Sequence, residues 1–276
     1  MKRAPLALVT SLGLTLASSS AFGQVCARGR SWVPRAVPLT LGPADFGLTP
    51  TPCAAAYVGA DVRAQALIDE PDFYGALGAE LVVNGQYPVH RRVWISAAVT
   101  ALRFRYAQNA TLVASDLGLG ASDVGVHVGI LSGEKFWLSA YGRALLPTSM
   151  NQQYATVTGF EPGVSALWMA HPRVALLGGL SVPITTTWIG SRAQVLVEVR
   201  AALDVSVRVA SWFDPTVGLE VRFANAPWGP FELLAPRVSL RFLPGRGVSL
   251  HLSAIAPIAG EERSDIRFAL GGGYTW

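Results

Sequence analysis

The side chains with the most chemical potential in this chain are charged ones placed at every second position. Glu198, Arg200, Asp204 and Arg208 share one side of an alternating stretch, Glu220 and Arg222 share a second, and Arg237 and Arg241 a third. Arg103, Arg105 and Arg143 occupy comparable positions earlier in the chain. Arginines gathered around a narrow passage would favour anions. The same residues, placed on neighbouring strands, could instead pair with carboxylates in a cross-strand ladder that fills and stiffens the interior. His251-Leu252-Ser253 offers a third chemistry, because positions i and i+2 of a strand share a face and could set a base beside a serine nucleophile. His90, His127 and His171 lack metal-ligand spacing to another histidine, cysteine or carboxylate, so neither a metal nor a cofactor is expected.

The elements that must carry these residues are strands. Val195, Val197, Val199, Ala201, Leu203, Val205, Val207 and Val209 alternate with Gln194, Leu196, Glu198, Arg200, Ala202, Asp204, Ser206 and Arg208. That period is sustained beyond the length of an ordinary strand and fits a tilted strand crossing a bilayer. Twelve such segments are predicted, at 56–67, 73–84, 92–105, 119–131, 135–147, 157–170, 173–187, 194–209, 215–224, 234–243, 247–257 and 266–276. Connections alternate between short turns (132–134, 171–172, 211–214, 244–246) and longer loops (106–118, 148–156, 188–193, 225–233, 258–265). Short periplasmic turns and long outer loops are the pattern of a transmembrane barrel. Two connections fit less well, 85–91 being long for a turn and 68–72 short for a loop. Residues 174–191 carry no charge, but Gly178-Gly179, Pro183 and Thr185–Thr187 favour a strand over a spanning helix.

Composition agrees. Apolar residues make up 51% of the 276 and charged residues 14%, against about 25% charged in a soluble domain. An apolar chain without a spanning helix can cross a membrane as a closed barrel. Of the 22 basic residues all but Lys2 and Lys135 are arginine, and no basic patch interleaved with aromatics points to nucleic acid. Aromatic residues gather near predicted strand ends, as the girdles of a membrane barrel do. Trp94, Phe136, Trp137, Trp168, Trp212, Phe213, Phe242, Tyr274 and Trp276 map to one end, and Tyr74, Phe104, Tyr106, Phe160, Trp188, Phe223, Trp228 and Phe231 to the other.

Residues 1–23 read as a secretory signal peptide: Lys2 and Arg3, an apolar run from Leu6 to Leu16, and Ala21-Phe22-Gly23 at the cleavage site. Residues 24–55 form a proline-rich segment that could extend into the periplasm or enter the barrel mouth as a partial plug, and 56–276 form the barrel. In an oxidising compartment Cys26 and Cys53 are expected to form a disulfide, two free thiols being the alternative.

The last strand carries the most specific motif. Phe268, Leu270, Gly272, Tyr274 and Trp276 alternate on one face and end the sequence. This resembles the terminal-strand signal of bacterial outer-membrane β-barrel proteins, which the barrel-assembly machinery recognises. That family usually ends in phenylalanine, with tryptophan a variant. Gly118-Leu119-Gly120 with Asp123-Val124, and later Leu146-Pro147-Thr148, is similar to spacing in outer-membrane transporters of aromatic-compound degradation pathways. Here Ser149 replaces the usual glycine. His251-Leu252-Ser253 resembles the His-x-Ser pair of outer-membrane phospholipase A, but Ala254 and Ile255 replace that family's asparagine and glycine, and the pair falls on the lumen side.

Together these features predict an all-β, antiparallel, roughly twelve-stranded transmembrane barrel in the outer membrane, in contact with its lipid and non-enzymatic. With Val, Leu and Phe facing lipid, Arg63, Arg103, Arg105, Arg143, Arg200, Arg208, Arg222, Arg237, Arg241 and Arg267 line the lumen. Asp61, Glu80, Asp123, Glu161, Glu198, Asp204 and Glu220 line it too, leaving a basic excess. The leading functional expectation is a passive channel for small solutes with an arginine-rich lumen. The alternatives are a non-conducting structural or surface-interaction barrel with a salt-bridged interior, and a phospholipase-like enzyme.

Overall fold

The computed structural model describes residues 32–39, 53, 55–69, 74–108, 113–147, 156–189, 192–226, 229–260 and 265–276. Twelve strands form the wall: β1 (Tyr57–Asp69), β2 (Tyr74–His90), β3 (Val93–Gln108), β4 (Val113–Gly118 and Ser122–Ser132), β5 (Phe136–Leu146) and β6 (Thr156–His171), then β7 (Val174–Ser181 and Ile184–Ile189), β8 (Arg192–Val207), β9 (Phe213–Ala226), β10 (Gly229–Gly245), β11 (Val248–Ile255 and Ala259–Gly260) and β12 (Asp265–Thr275). Each strand pairs antiparallel with its sequence neighbours, and β1 also pairs with β12, from Tyr57↔Thr275 to Leu67↔Asp265. The Trp276 amide donates to the Ala56 carbonyl across that seam at 3.2 Å. Closure leaves no open edge, as a spanning sheet requires. No described helix is long and apolar enough to cross a membrane, which says nothing of strands.

The period-two pattern becomes two faces. Val195, Val197, Val199, Leu203, Val217, Leu219 and Phe223 stand exposed on the outside, while Glu198, Arg200, Asp204, Ser206, Glu220 and Arg222 are buried inside. The exposed apolar row continues through Val58, Val62, Leu81, Val99, Val126, Leu250 and Leu270, giving the wall an apolar belt. A register shift between Leu81 and Val82 of β2 leaves Ala101 of β3 without an opposite partner. This bulge changes the inward phase of β3, from Trp94, Ser96, Ala98 and Thr100 to Arg103.

Several expectations are corrected. Residues 85–90 belong to β2, and the turn is only Arg91-Arg92. The apolar signal fades beyond Val83 because the strand has left the apolar belt, while its ladder continues to a second register shift beside Pro88. Likewise 106–108 and 113–118 are strand, so the expected 106–118 loop shrinks, and β10 starts at Gly229 rather than 234. Trp94 and Trp137 are not girdle residues: they are 1% and 4% exposed and face inward. Trp168, Trp212, Phe242 and Tyr274 at the turn end do stand outside, as do Phe104, Phe160, Trp188 and Phe223 at the other end. The side chains of Tyr74, Trp228 and Phe231 lie outside the described residues.

Candidate functional site: the barrel lumen

Among the described residues the inward wall holds seven buried arginines (Arg103, Arg143, Arg200, Arg222, Arg237, Arg241, Arg267) and seven buried carboxylates (Asp61, Asp123, Glu161, Glu198, Asp204, Asp214, Glu220). The expected basic excess is therefore absent from the buried wall. Asp214 joins it, Arg63 is half-buried, and Arg105 and Arg208 sit at the rims. Arg105 is 54% exposed and only 3.9 Å from Glu80. Arg208 follows the end of β8 and donates to the Ser211 carbonyl at 3.3 Å.

Charges on β8, β9 and β10 form a connected network, with Arg241 and Asp214 as a pair beside it. Arg237 Nε and Nη2 donate to the two oxygens of Asp204, both at 2.7 Å, and Nη1 reaches Glu220 at 3.2 Å. Glu220 also lies 3.8 Å from Arg200, which donates to Glu198 at 3.3 Å, and Glu198 accepts from Arg222 as well. Arg241 Nε meets Asp214 at 2.9 Å. Arg200 and Arg222 stand directly opposite each other in register, and the shared Glu198 offsets their repulsion. Fork-to-carboxylate contacts of this kind are the strong class of hydrogen bond, and dry surroundings make each partner costly to remove.

A local rule recurs where an acid reaches a base two strands away. Gly218 lies opposite Asp204 on one side and Arg237 on the other, and the pair closes over it. A Cβ at Gly218 would stand 2.0 Å from Asp204 Oδ1. Gly271 plays the same part between Asp61 and His251, whose Nε2 is 3.2 Å from Asp61 Oδ1. A Cβ there would stand 2.1 Å from that oxygen. Asn84 and Arg63 add bonds to Asp61 Oδ2 at 3.0 and 3.4 Å.

The sector from β3 to β6 is aromatic instead. Trp94 stacks on His127 at 5.3 Å, His127 approaches Tyr141 at 5.5 Å, and His127 Nε2 meets Ser96 Oγ at 2.8 Å. Tyr141 donates to Glu161 at 3.3 Å, and Arg143 donates to the other oxygen of Glu161 at 2.5 Å. Of the proposed His-x-Ser pair, His251 faces Asp61 while Ser253 donates to Ser239 at 2.8 Å.

Residues 32–39 run inside this wall. Trp32 Nε1 donates to Asp214 at 2.7 Å, the Val37 amide donates to Asp204 at 3.1 Å, and Arg241 donates to the Val33 carbonyl at 2.8 Å. Arg237 reaches the Leu39 carbonyl at 3.5 Å. Two apolar patches complete the seat. Trp32 packs with Cys53, Trp137, Leu167 and Met169, and Val37 and Leu39 pack with Leu233, Ala235, Ile255 and Ala269. Of the two openings for the proline-rich segment, its described part takes the one inside the barrel. Cys53 is buried and disulfide-bonded, and Cys26 lies outside the described residues, as does the expected signal peptide. Among the terminal-strand residues, Phe268, Leu270 and Tyr274 face outward and Trp276 stacks on Tyr274 at 6.0 Å.

Sequence reasoning missed Asp214, Trp32 and the spacer role of Gly218. Asp214 was legible, since Asp214, Thr216, Gly218, Glu220 and Arg222 continue one face of β9. Trp32 lies in a segment without periodicity, and nothing local marks its partner.

No protein-family model matches the chain, and no curated protein matches it. Solved structures do match its fold. An outer-membrane channel from Pseudomonas putida F1 aligns over 86% of this chain and all of its own, with a TM-score of 0.63 and 14% identity. The translocator domain of the autotransporter NalP from Neisseria meningitidis aligns over 81% of this chain and 89% of its own (TM-score 0.59, 11% identity). The NanC porin aligns over 79% and 100% (TM-score 0.53, 9% identity). The fold is that of the bacterial outer-membrane β-barrels.

Proposed function

We propose that the protein is an outer-membrane channel for small solutes, held closed in this conformation by residues 32–39. The observation that carries the reading is the seating of that segment on Asp204, Asp214, Arg237 and Arg241, flanked by two apolar patches. The wall charges on which the segment sits already pair with one another, Arg237 with Asp204 and Arg241 with Asp214, so the contacts to 32–39 read as a separable closure. The neutral ion-pair network is the rigid frame of the passage, and the arginines at its ends set preference for charge. The apolar belt and the terminal strand support insertion in the outer membrane through the barrel-assembly machinery, after export directed by residues 1–23. No catalytic step belongs to this reading.

The test is single-channel recording of the full-length protein and its Trp32→Ala variant in planar bilayers. Truncating a packed tryptophan costs about 3–5 kcal/mol, and each 1.4 kcal/mol is about tenfold in an equilibrium. The expected result is a mostly silent wild type and an open probability raised at least about 100-fold in the variant. A second reading, a permanently filled structural barrel, is favoured by the density of the β8–β10 network. Silence from the folded variant and from a folded deletion of 32–39 would establish it instead.

A further inference from the structure

Five turns close one end of the barrel, at 91–92, 133–135, 172–173, 208–212 and 246–247, and their charge is one-sided. Arg91, Arg92, Lys135, Arg173 and Arg246 are all exposed, and no described carboxylate pairs with any of them. Glu134, the only acid in these turns, balances at most one of the five, and Arg208 serves the Ser211 carbonyl and is not counted. The turns are fixed in place by their backbones. The amides of Gly129, Met169, Arg208 and Thr275 donate to the carbonyls of Arg92, Lys135, Arg173 and Gly247 at 2.7, 2.7, 2.8 and 2.9 Å. Two turns share a further device: His90 Nδ1 accepts from the Arg92 amide at 3.4 Å, and His171 Nδ1 from the Arg173 amide at 3.2 Å. In the third, Arg246 has a φ of 52°, the one positive φ outside glycine among the described residues. Asparagine or glycine meets that conformation at lower cost, so the turn carries its cation where local geometry favours another residue.

The apolar wall runs down to these turns. Leu131 and Val209 stand exposed beside them, and so do the aromatic residues Phe136, Trp168, Trp212 and Phe242. Phe136 lies opposite Trp168 in register, and Trp212 stacks on Phe242 at 6.3 Å. Exposed aromatics of a membrane wall sit at the level of the lipid headgroups, so cations just beyond them reach the phosphates. A guanidinium matches phosphate oxygens with paired donors, and its aliphatic stem lies along the apolar wall. The charges are spread around a rim rather than gathered in a pocket, which suits a shell of separate headgroups and not one soluble ligand. We propose that the turn end docks on anionic phospholipid in the periplasmic leaflet, with Arg91, Arg92, Lys135, Arg173 and Arg246 holding the phosphates. This rests on the wall being the membrane-inserted surface and not on conduction.

Tryptophan quenching by brominated phosphatidylglycerol and brominated phosphatidylcholine, with the full-length protein in mixed vesicles of the two lipids, tests this without any measurement of transport. Trp168, Trp188 and Trp212 stand on the outside as reporters. Quenching by either lipid reports insertion, and the ratio of the two reports preference. A preference of about fivefold for phosphatidylglycerol is expected, the factor that one cation near a charged surface contributes. The combined variant Arg91→Gln, Arg92→Gln, Arg173→Gln and Arg246→Asn is expected to insert as before and to show almost no preference. Arg246→Asn alone should weaken the preference while leaving urea unfolding no easier, a split that a purely structural arginine does not give. Arg105→Gln, at the opposite rim, should leave the preference unchanged. Equal quenching of the inserted wild type by the two lipids, or an equal loss in Arg105→Gln, would overturn the proposal but not insertion. No quenching by either lipid would overturn both. Equal quenching together with sedimentation of the wild type, but not of the combined variant, on purified peptidoglycan would assign the ring to the cell wall instead.

Discussion

Leu203 and Asp204 are neighbours on β8 and live in different solvents. Leu203 is 57% exposed on the apolar belt, while Asp204 is fully buried and holds Arg237 through both oxygens. The outer face is a sum of independent side chains, each needing only to be apolar. The inner face is a network in which Asp204, Glu220, Arg237 and the Val37 amide share donors and acceptors. A substitution outside is therefore local, and one inside propagates to every partner of the removed group.

The sharpest break of that contrast is Arg237→Ala. It leaves Asp204 only the Val37 amide among its described partners and loosens Glu220, both fully buried, and is expected to cost about 3–5 kcal/mol in urea unfolding from bilayers. Arg237→Met combined with Asp204→Leu removes both charges and should recover part of the loss. An additive double variant would show that the two do not act as a pair. Next in size, Leu203→Arg sets a charge on the lipid face, with about 2–4 kcal/mol expected near the midplane and no change in the lumen. The two comparisons together separate a cost set by lipid from one set by partners.

Gly218→Ala sharpens the contrast without changing any charge. Its Cβ would meet Asp204 Oδ1 at 2.0 Å and the Leu203 carbonyl at 2.5 Å. A loss of about 1–3 kcal/mol is expected, while alanine at Gly178, where the nearest atom is 3.9 Å away, should be nearly neutral. Equal unfolding midpoints for the two variants would remove the spacer role. The smallest effect belongs to Arg105→Gln at the rim. A pair at 3.9 Å whose arginine is exposed contributes about 0–1 kcal/mol, so its unfolding midpoint should match that of the wild type. A large shift there would mean that the network extends further than the described contacts.

The legible part of this molecule was its local part. Alternation along 194–209 fixes which residues face lipid and which face the lumen, because a strand repeats every two residues regardless of its neighbours. The same rule placed Glu198, Arg200, Asp204, Glu220, Arg222, Arg237 and Arg241 on one inner wall. It failed where a strand outlives its apolar pattern, as at 85–90, and where an aromatic residue serves the inside, as with Trp94 and Trp137.

The residues by themselves thus determined the strand period, the two faces, the apolar belt and the terminal strand, since each follows from hydropathy over ten or so positions. Only the tertiary structure decided the rest. The register of three strands sets Gly218 between Asp204 and Arg237, and closure of β1 on β12 brings Asp61 over Gly271 to His251. Trp32 finds Asp214 across 182 positions of sequence. Partners so far apart are chosen by the closed shape of the wall, and no local pattern can encode a meeting that exists only once the barrel has closed.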